Sequence, residues 1–375
     1  MKRHATLVRS TRIRRGRLLH PLGILLIAVL ASVLLVTTQA AADSQYLSVR
    51  DFGAKGDGTT DDIDAIRACI TSAAAADKEV YFPAGTYKVS GGIWLPTGDS
   101  AYSGLVIRGA GAGQTIITMN AQPSTAYMFY AVDLSNVHLS DMTFRTPTSY
   151  SNNIRAIFST GMQNSSIRRI KIENCDYGIK LGSGNQSNGW VIEDIVTRNI
   201  GILSLQPIDV SNSTFRNLDL QNRMDTGTGM CVYIERDNHN LTFENLRCVG
   251  GSRNCIQLYN GYGSPTSDHI SFRDTYLDNR GGPKYPLTID PAFSDVSFVN
   301  TTIYANNNEN PCIVWYGGTR VVFDGITASG GAALHQLWGD TPANCAIRNG
   351  TYQGSAIGSV PGVIVSNVML GGTNR

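Results

Sequence analysis

From residue 137 onward one pattern of apolar and polar positions recurs along the chain: apolar, any, apolar, any, Asn or Asp, any, any, apolar. It reads VHLSDMTF at 137–144, WVIEDIVT at 190–197, STFRNLDL at 213–220, LTFENLRC at 241–248, ISFRDTYL at 270–277 and VSFVNTTI at 296–303. Looser copies are SSIRRIKI at 165–172, VVFDGITA at 321–328, CAIRNGTY at 345–352 and VIVSNVML at 363–370. The polar position falls on Asp141, Arg169, Asp194, Asn217, Asn245, Asp274, Asn300, Gly325, Asn349 and Asn367, at intervals of 18 to 29 residues. A short period with variable loops predicts a solenoid whose insertions fall in its turns.

Alternation on either side of the polar position marks two short strands meeting at a bend. Asn and Asp suit that bend because they tolerate left-handed backbone and bond their own main chain. Stacked in register, they predict a ladder of side-chain hydrogen bonds. A third apolar segment follows most copies after a loop: GIKL (178–181), GILSL (201–205), CVYI (231–234), CIQL (255–258), PLTI (286–289), CIVW (312–315) and HQLW (335–338). Three strands per turn, each pairing with its counterpart one turn away, make an all-β parallel β-helix of about ten turns. The segment 43–95 breaks the pattern and is read as an N-terminal cap with the first strands. A helix is expected from Asp62 to Ala75, capped by Thr60 or Asp61, with Ile63, Ile66 and Ile70 on its buried face. A strand is expected at Glu79–Phe82, followed by a turn at Pro83-Ala84-Gly85.

Composition changes this picture at the start of the chain. Seven basic residues (Lys2, Arg3, Arg9, Arg12, Arg14, Arg15 and Arg17) precede an uncharged apolar run from Leu22 to Val36, and small residues follow at Ala40, Ala41 and Ala42. That is the layout of a secretory signal peptide. The apolar run is shorter than the ~20 residues that span a bilayer. Residues 1–42 are therefore read as a leader and 43–375 as one secreted domain, with no membrane contact after cleavage. Without the leader, 24 basic residues face 29 acidic ones, a net charge of about −5 that leaves no basic face for nucleic acid. All seven cysteines lie in the expected exported part, where disulfides form; the odd number leaves at least one thiol unpaired.

The phrases VRDFGAKGDGTTDDIDAIRACI (49–70) and VYFPAGTYKVSGGI (80–93) resemble the N-terminal signature of pectate-lyase superfamily proteins, which include rhamnogalacturonase-like and epimerase-like members. The resemblance covers about 45 residues closely and implies a right-handed parallel β-helix. It does not fix a reaction, because hydrolases, lyases, epimerases and phage tailspikes share this opening. Motifs of the polygalacturonase and alginate-epimerase branches are absent, so no catalytic residue carries over. Asp51, Asp57, Asp61 and Asp62 are read as turn and helix-start residues rather than metal ligands.

Strand parity selects candidates on the third strand of each turn. With Val232 and Ile234 inward, Tyr233 and Glu235 point out. The same parity exposes Lys180, then Ser204 and Gln206, Gln257 and Tyr259, Thr288 and Asp290, Val314 and Tyr316, and Gln336 and Trp338. Aromatic rings and amides suit the apolar faces and hydroxyls of sugars, so Lys180, Gln206, Tyr233, Gln257, Tyr259, Tyr316, Gln336 and Trp338 are candidate substrate-binding residues. Glu235 and Asp290 share a column two turns apart, with backbones roughly 10 Å apart. Side-chain lean brings them toward the ~6.5–9.5 Å that an inverting glycosidase needs. They are the candidate catalytic acids, with Asp237 and Asp340 as substitutes.

The sequence thus points to a secreted enzyme that degrades polysaccharides, with hydrolysis slightly ahead of β-elimination. The alternatives are a non-catalytic β-helix that binds glycans or a surface, and an uronan epimerase. No metal or cofactor is expected for hydrolysis. A lyase would call for calcium, for which Glu235, Asp237 and Asp290 are the available oxygen ligands. His239 is read as an exposed turn residue, and the oligomeric state is left open.

Overall fold

The computed structural model describes residues 45–371, except 121, 123, 148–152, 224–228, 262–265 and 307–309. The expected leader lies outside the described residues. Tyr46–Arg375 form one compact unit, a parallel β-helix of about eleven turns. Ten strands make one sheet in strict chain order: Ile93–Trp94, Ala126–Val132, Ile154–Thr160, Tyr177–Leu181, Leu203–Pro207, Met230–Glu235, Ile256–Tyr259, Leu287–Ile289, Ile313–Trp315 and His335–Leu337. These contain the third apolar segments of the repeat. The repeated phrases form the other, seventeen-stranded set, in which long strands such as Val210–Asn222 and His239–Val249 pair in parallel on both sides of a bend.

All ten expected bend residues, Asp141 through Asn367, have positive φ, from 50° to 77°. The side-chain ladder is also present. Asn217 donates to Asp194 (2.9 Å), Asn245 to Asn217 (3.1 Å), Asn300 to Asp274 (3.1 Å) and Asn367 to Asn349 (2.8 Å). The exceptional Arg169 is explained by a two-pronged ion pair with Asp141 (2.6 and 2.8 Å). A second left-handed column, not evident from the repeat, runs through Asn136, Asn164, Gly189, Asn212, Asn240, His269, Asp295, Arg320 and Asn344. There Asn240 donates to Asn212 (3.0 Å) and Asn212 to Asn188 (2.7 Å).

The core repeats as regularly as the bends. Phe215, Phe243, Phe272, Phe298 and Phe323, each fully buried, stack face to face over five turns with centroids 4.4–4.7 Å apart. No single turn buries such a ring; its neighbours above and below do so. All seven cysteines are buried free thiols, so the structure contains none of the disulfides that export would permit.

The cap follows the sequence reading with small shifts. Helix α1 spans Ile63–Ala76, one residue later than expected, and buries Ile63, Ile66, Cys69, Ile70 and Ala73. Asp62 stands at its N-cap position without a side-chain cap bond, because its carboxylate is taken by the backbone N–H groups of Lys55 (2.6 Å) and Gly56 (3.0 Å). Asp57 accepts from the N–H groups of Thr59 and Thr60, and Asp61 from those of Ile63 and Ser90. These acids shape loops.

Candidate functional site

Each turn contributes one short strand to the ten-stranded sheet, so outward side chains line up in columns. Parallel registers put Lys180 beside Gln206, Tyr233 beside Gln257, Gln257 beside Thr288, Thr288 beside Val314, and Val314 beside Gln336. Two residues further along each strand, a second column runs Glu235, Tyr259, Asp290, Tyr316, Trp338, fixed by the Glu235–Tyr259 pairing and the ladder bonds of the following strands. The expected alignment of Glu235 with Asp290, with Tyr259 between them, is therefore present.

The two acids do not both line the same cavity. A cavity of about 550 Å³ opens on the C-terminal half of this face, lined by Arg253, Asn254, Gln257, Tyr259, Asn260, Tyr285, Thr288, Asp290, Tyr316 and Asp340 among others. Glu235 lies outside that lining and accepts a hydrogen bond from Gln206 (2.9 Å). Within the cavity the acid that accompanies Asp290 is Asp340. Burial raises the pKa of Asp290 above the usual carboxylate range; the Ala292 N–H opposes this, and the charge of Asp340 adds to it. Asp340 is held by its backbone N–H, which donates to the Tyr316 carbonyl (2.8 Å).

Tyr259, Tyr285 and Tyr316 line the cavity, and Tyr233 and Trp338 pack against them from outside its lining. Tyr233 and Tyr259 stack at 6.1 Å, and Trp338 stands edge-on to Tyr316 at 6.4 Å. Strand parity missed Tyr285, which arrives from a loop. Its hydroxyl meets that of Tyr316 at 3.1 Å and its ring meets Trp338 edge-on at 5.0 Å. Asn254 fixes this loop by donating to the Tyr285 carbonyl (2.7 Å).

Parity also overstated exposure. Gln206, Thr288 and Val314 are buried, and Ser204 is enclosed, bonded to Thr197 and Asn222. The Gln206 amide nitrogen donates to Glu235. Gln336 and Trp338 are exposed, whereas Gln257 Oε1 and Thr288 Oγ1 are buried in the cavity floor without a protein partner.

The calcium set is not assembled. Among the described residues no three acidic, His or Cys side chains converge on a point that suits a metal ion. Asp237 instead pairs with His239 Nε2 (2.7 Å), and Asp268 takes His239 Nδ1 (2.9 Å) and His269 Nδ1 (2.8 Å). His239 is thus clamped between two carboxylates rather than a free turn residue. Burial lowers its pKa, but the hydrogen bonds and charges of Asp268 and Asp237 outweigh this and raise it.

The N-terminal half of the same sheet face has a different character. Tyr127, Tyr130 and Phe158 form a triangle of rings with centroids 5.1–5.5 Å apart, and exposed Trp94 adjoins Tyr130 at 5.3 Å. Arg155 lies over Tyr177 (4.6 Å) and Tyr127 (5.6 Å), and Lys180 Nζ over Phe158 (5.9 Å). The face therefore divides into an aromatic, basic half and an aromatic, acidic half.

Several known proteins resemble this chain. An alginate lyase (alginate lyase 7) of Azotobacter vinelandii is 50% identical over 74 residues, which are 19% of this chain and only 9% of that protein. The A-module of mannuronan C-5 epimerase AlgE6, also of Azotobacter vinelandii, superposes with a TM-score of 0.68 at 20% identity, covering 88% of this chain and 96% of that one. The catalytic unit of an α-1,3-glucanase of Streptomyces thermodiastaticus superposes at 0.60 and 18% identity, covering 89% and 69%. At such identities the two structural likenesses are likenesses of fold. The model of the family described as rhamnogalacturonase A/epimerase, pectate lyase-like, matches residues 46–257, more than half of the molecule, and with the β-helix in view the chain belongs to that family.

Proposed function

We propose that this protein hydrolyses a polysaccharide laid along the ten-stranded sheet face, with inversion, using Asp290 as general acid and Asp340 as general base. The observation that carries this reading is that Asp290 and Asp340 line one cavity, in which Asp290 is half-buried and holds its proton more tightly than a solvated carboxyl, while Asp340 is exposed. Asp290 donates that proton to the glycosidic oxygen as the bond to the anomeric carbon breaks. Asp340, as carboxylate, accepts a proton from the water that attacks the opposite side of that carbon. One proton is given and one taken, so a reset between turnovers is a proton exchange with solvent. The two residues follow strands two rungs apart, Leu287–Ile289 and His335–Leu337, whose backbones are roughly 10 Å apart, a spacing from which side chains reach the inverting separation. A polysaccharide is proposed because the relatives above are named for alginate, mannuronan and α-1,3-glucan. Export through the basic leader belongs to the same reading.

The test is a polysaccharide screen with purified protein, with and without calcium, followed for new reducing ends and for the ultraviolet absorbance of an unsaturated uronate. Reducing ends without absorbance, lost in Asp290→Asn and in Asp340→Asn, are expected. Absorbance would replace hydrolysis by β-elimination, and inverted sugar stereochemistry without cleavage would replace it by epimerisation. A second reading, a non-catalytic glycan binder, is favoured by the exposed Trp94 and Trp338, which are 56% and 43% accessible. It predicts binding that both Asn variants leave intact, with no conversion of any glycan.

A further inference from the structure

The acidic cavity accounts for half of the face, and the basic half is left over. Arg155 and Lys180 are neighbours there, on adjacent turns, and both point to the side carrying the ring triangle. Among the described residues neither has an ion-pair partner. Among the described residues Arg155 Nη1 reaches the Tyr127 hydroxyl, at 3.5 Å, and its buried Nε has no hydrogen-bond partner. Burial and the charge of Arg155 hold the Lys180 ammonium below its usual pKa; Glu235 pulls the other way, and Arg236 adds to the lowering. Many other arginines of the solenoid are matched: Arg169 with Asp141, Arg198 and Arg247 with Asp219, Arg236 with Asp209, Arg320 with Asp295. Two half-buried cations side by side with no carboxylate in contact are unfavourable in the free protein, by mutual repulsion and lost hydration. An anion between them removes both costs.

We propose that Arg155 and Lys180, with the shelf of Trp94, Tyr127, Tyr130 and Phe158, form a subsite for a sugar unit carrying an anionic substituent. The rings take the apolar face of the sugar and the two cations take its carboxylate or sulfate. Four strand steps separate Lys180 from the strand before Asp290, about 19 Å at ~4.8 Å per step. The subsite is therefore several sugar units away from the acid pair. It takes its glycan from the groove reading above, but its chemistry is independent of which bond is broken.

The experiment uses the Asp290→Asn protein, so that turnover plays no part, and measures binding of three probes by calorimetry. The probes are a uronic-acid hexasaccharide, its carboxyl-reduced neutral counterpart, and a sulfated neutral hexasaccharide. At least tenfold tighter binding of one or both anionic probes is expected, with the preferred probe naming the substituent. Arg155→Gln and Lys180→Gln should each erase that preference. Trp94→Ala should weaken all probes alike while keeping it. Circular dichroism establishes that the variants fold, and Arg155→Lys gives partial rescue. Equal binding of the neutral probe, binding of none of the three, or a preference that survives both Gln substitutions would overturn the subsite. A hydrolase reading that fails in the screen leaves these results intact, and the reverse also holds.

Discussion

Asn217 offers a direct measure of what the bend ladder contributes. Its φ is 53°, its side chain donates to Asp194 (2.9 Å), and it accepts from Asn245 (3.1 Å). Alanine there faces two costs. Left-handed backbone costs an ordinary residue ~1–2 kcal/mol. The two bonds are solvent-exposed, so each contributes at the low end of ~0.5–1.5 kcal/mol. Asn217→Ala should therefore lose about 2–3 kcal/mol. Glycine accepts the backbone freely but adds ~0.5–1 kcal/mol of chain entropy, so Asn217→Gly should lose about 1.5–2 kcal/mol. Asn217→Asp keeps the bend and the bond from Asn245, but sets a carboxylate against Asp194. Its loss should shrink in acid. Urea unfolding, followed by tryptophan fluorescence and circular dichroism with coincident transitions, gives the three values. Glycine costing more than alanine, or alanine costing less than about 0.5 kcal/mol, would refute the claim that left-handed backbone selects these residues.

Other outcomes follow from the same structure. Phe272, stacked at 4.7 and 4.5 Å between two rings, should cost about 4–5 kcal/mol as Phe272→Ala. Phe215→Ala, which breaks one stack, should cost about 1 kcal/mol less in the same urea assay. The raised pKa of His239 means that its stabilising charge is fully present below the unfolded value of 6.5 and is lost as pH rises through the folded one. Thermal unfolding from pH 5 to 9 should show that loss in the wild type and not in His239→Gln. For Asp290, also raised, the protonated form favours folding below the unfolded value of 3.8, and that advantage disappears as pH rises through the folded pKa. Asp290→Asn should thus be more stable than the wild type at neutral pH, with the gap closing in acid. In the wild type, activity should fall on the alkaline side as Asp290 ionises.

The sequence made the bends legible because one backbone geometry, left-handed, admits few residues comfortably. Asn and Asp at a regular period carry that signal, and the ten positions from Asp141 to Asn367 all obey it. The second left-handed column was hidden, although Asn212 and Asn240 belong to it, because it sits where loop lengths vary and includes His269 and Arg320. Parity found the columns of the groove, since alternation fixes which way a strand residue points. Direction is not exposure: covering neighbours bury Gln206, Thr288 and Val314. Tyr285 and Arg253 lie beyond strand alternation altogether, and Asp340 follows the last groove strand, His335–Leu337. The pairing of Asp290 with Asp340 therefore needed the three-dimensional path of the loops.

The constant rung spacing turns this molecule into a ruler. Each turn advances the face by ~4.8 Å whatever its loops do, a step close to the length of one pyranose unit. Because a turn touches only its two neighbours, adding or deleting a whole turn leaves the remaining contacts intact. A turn inserted between Lys180 and Asp290 would move the two ends of the groove apart by about one sugar. Evolution of such a chain can lengthen its reach along a polymer in whole units, without redesigning either end.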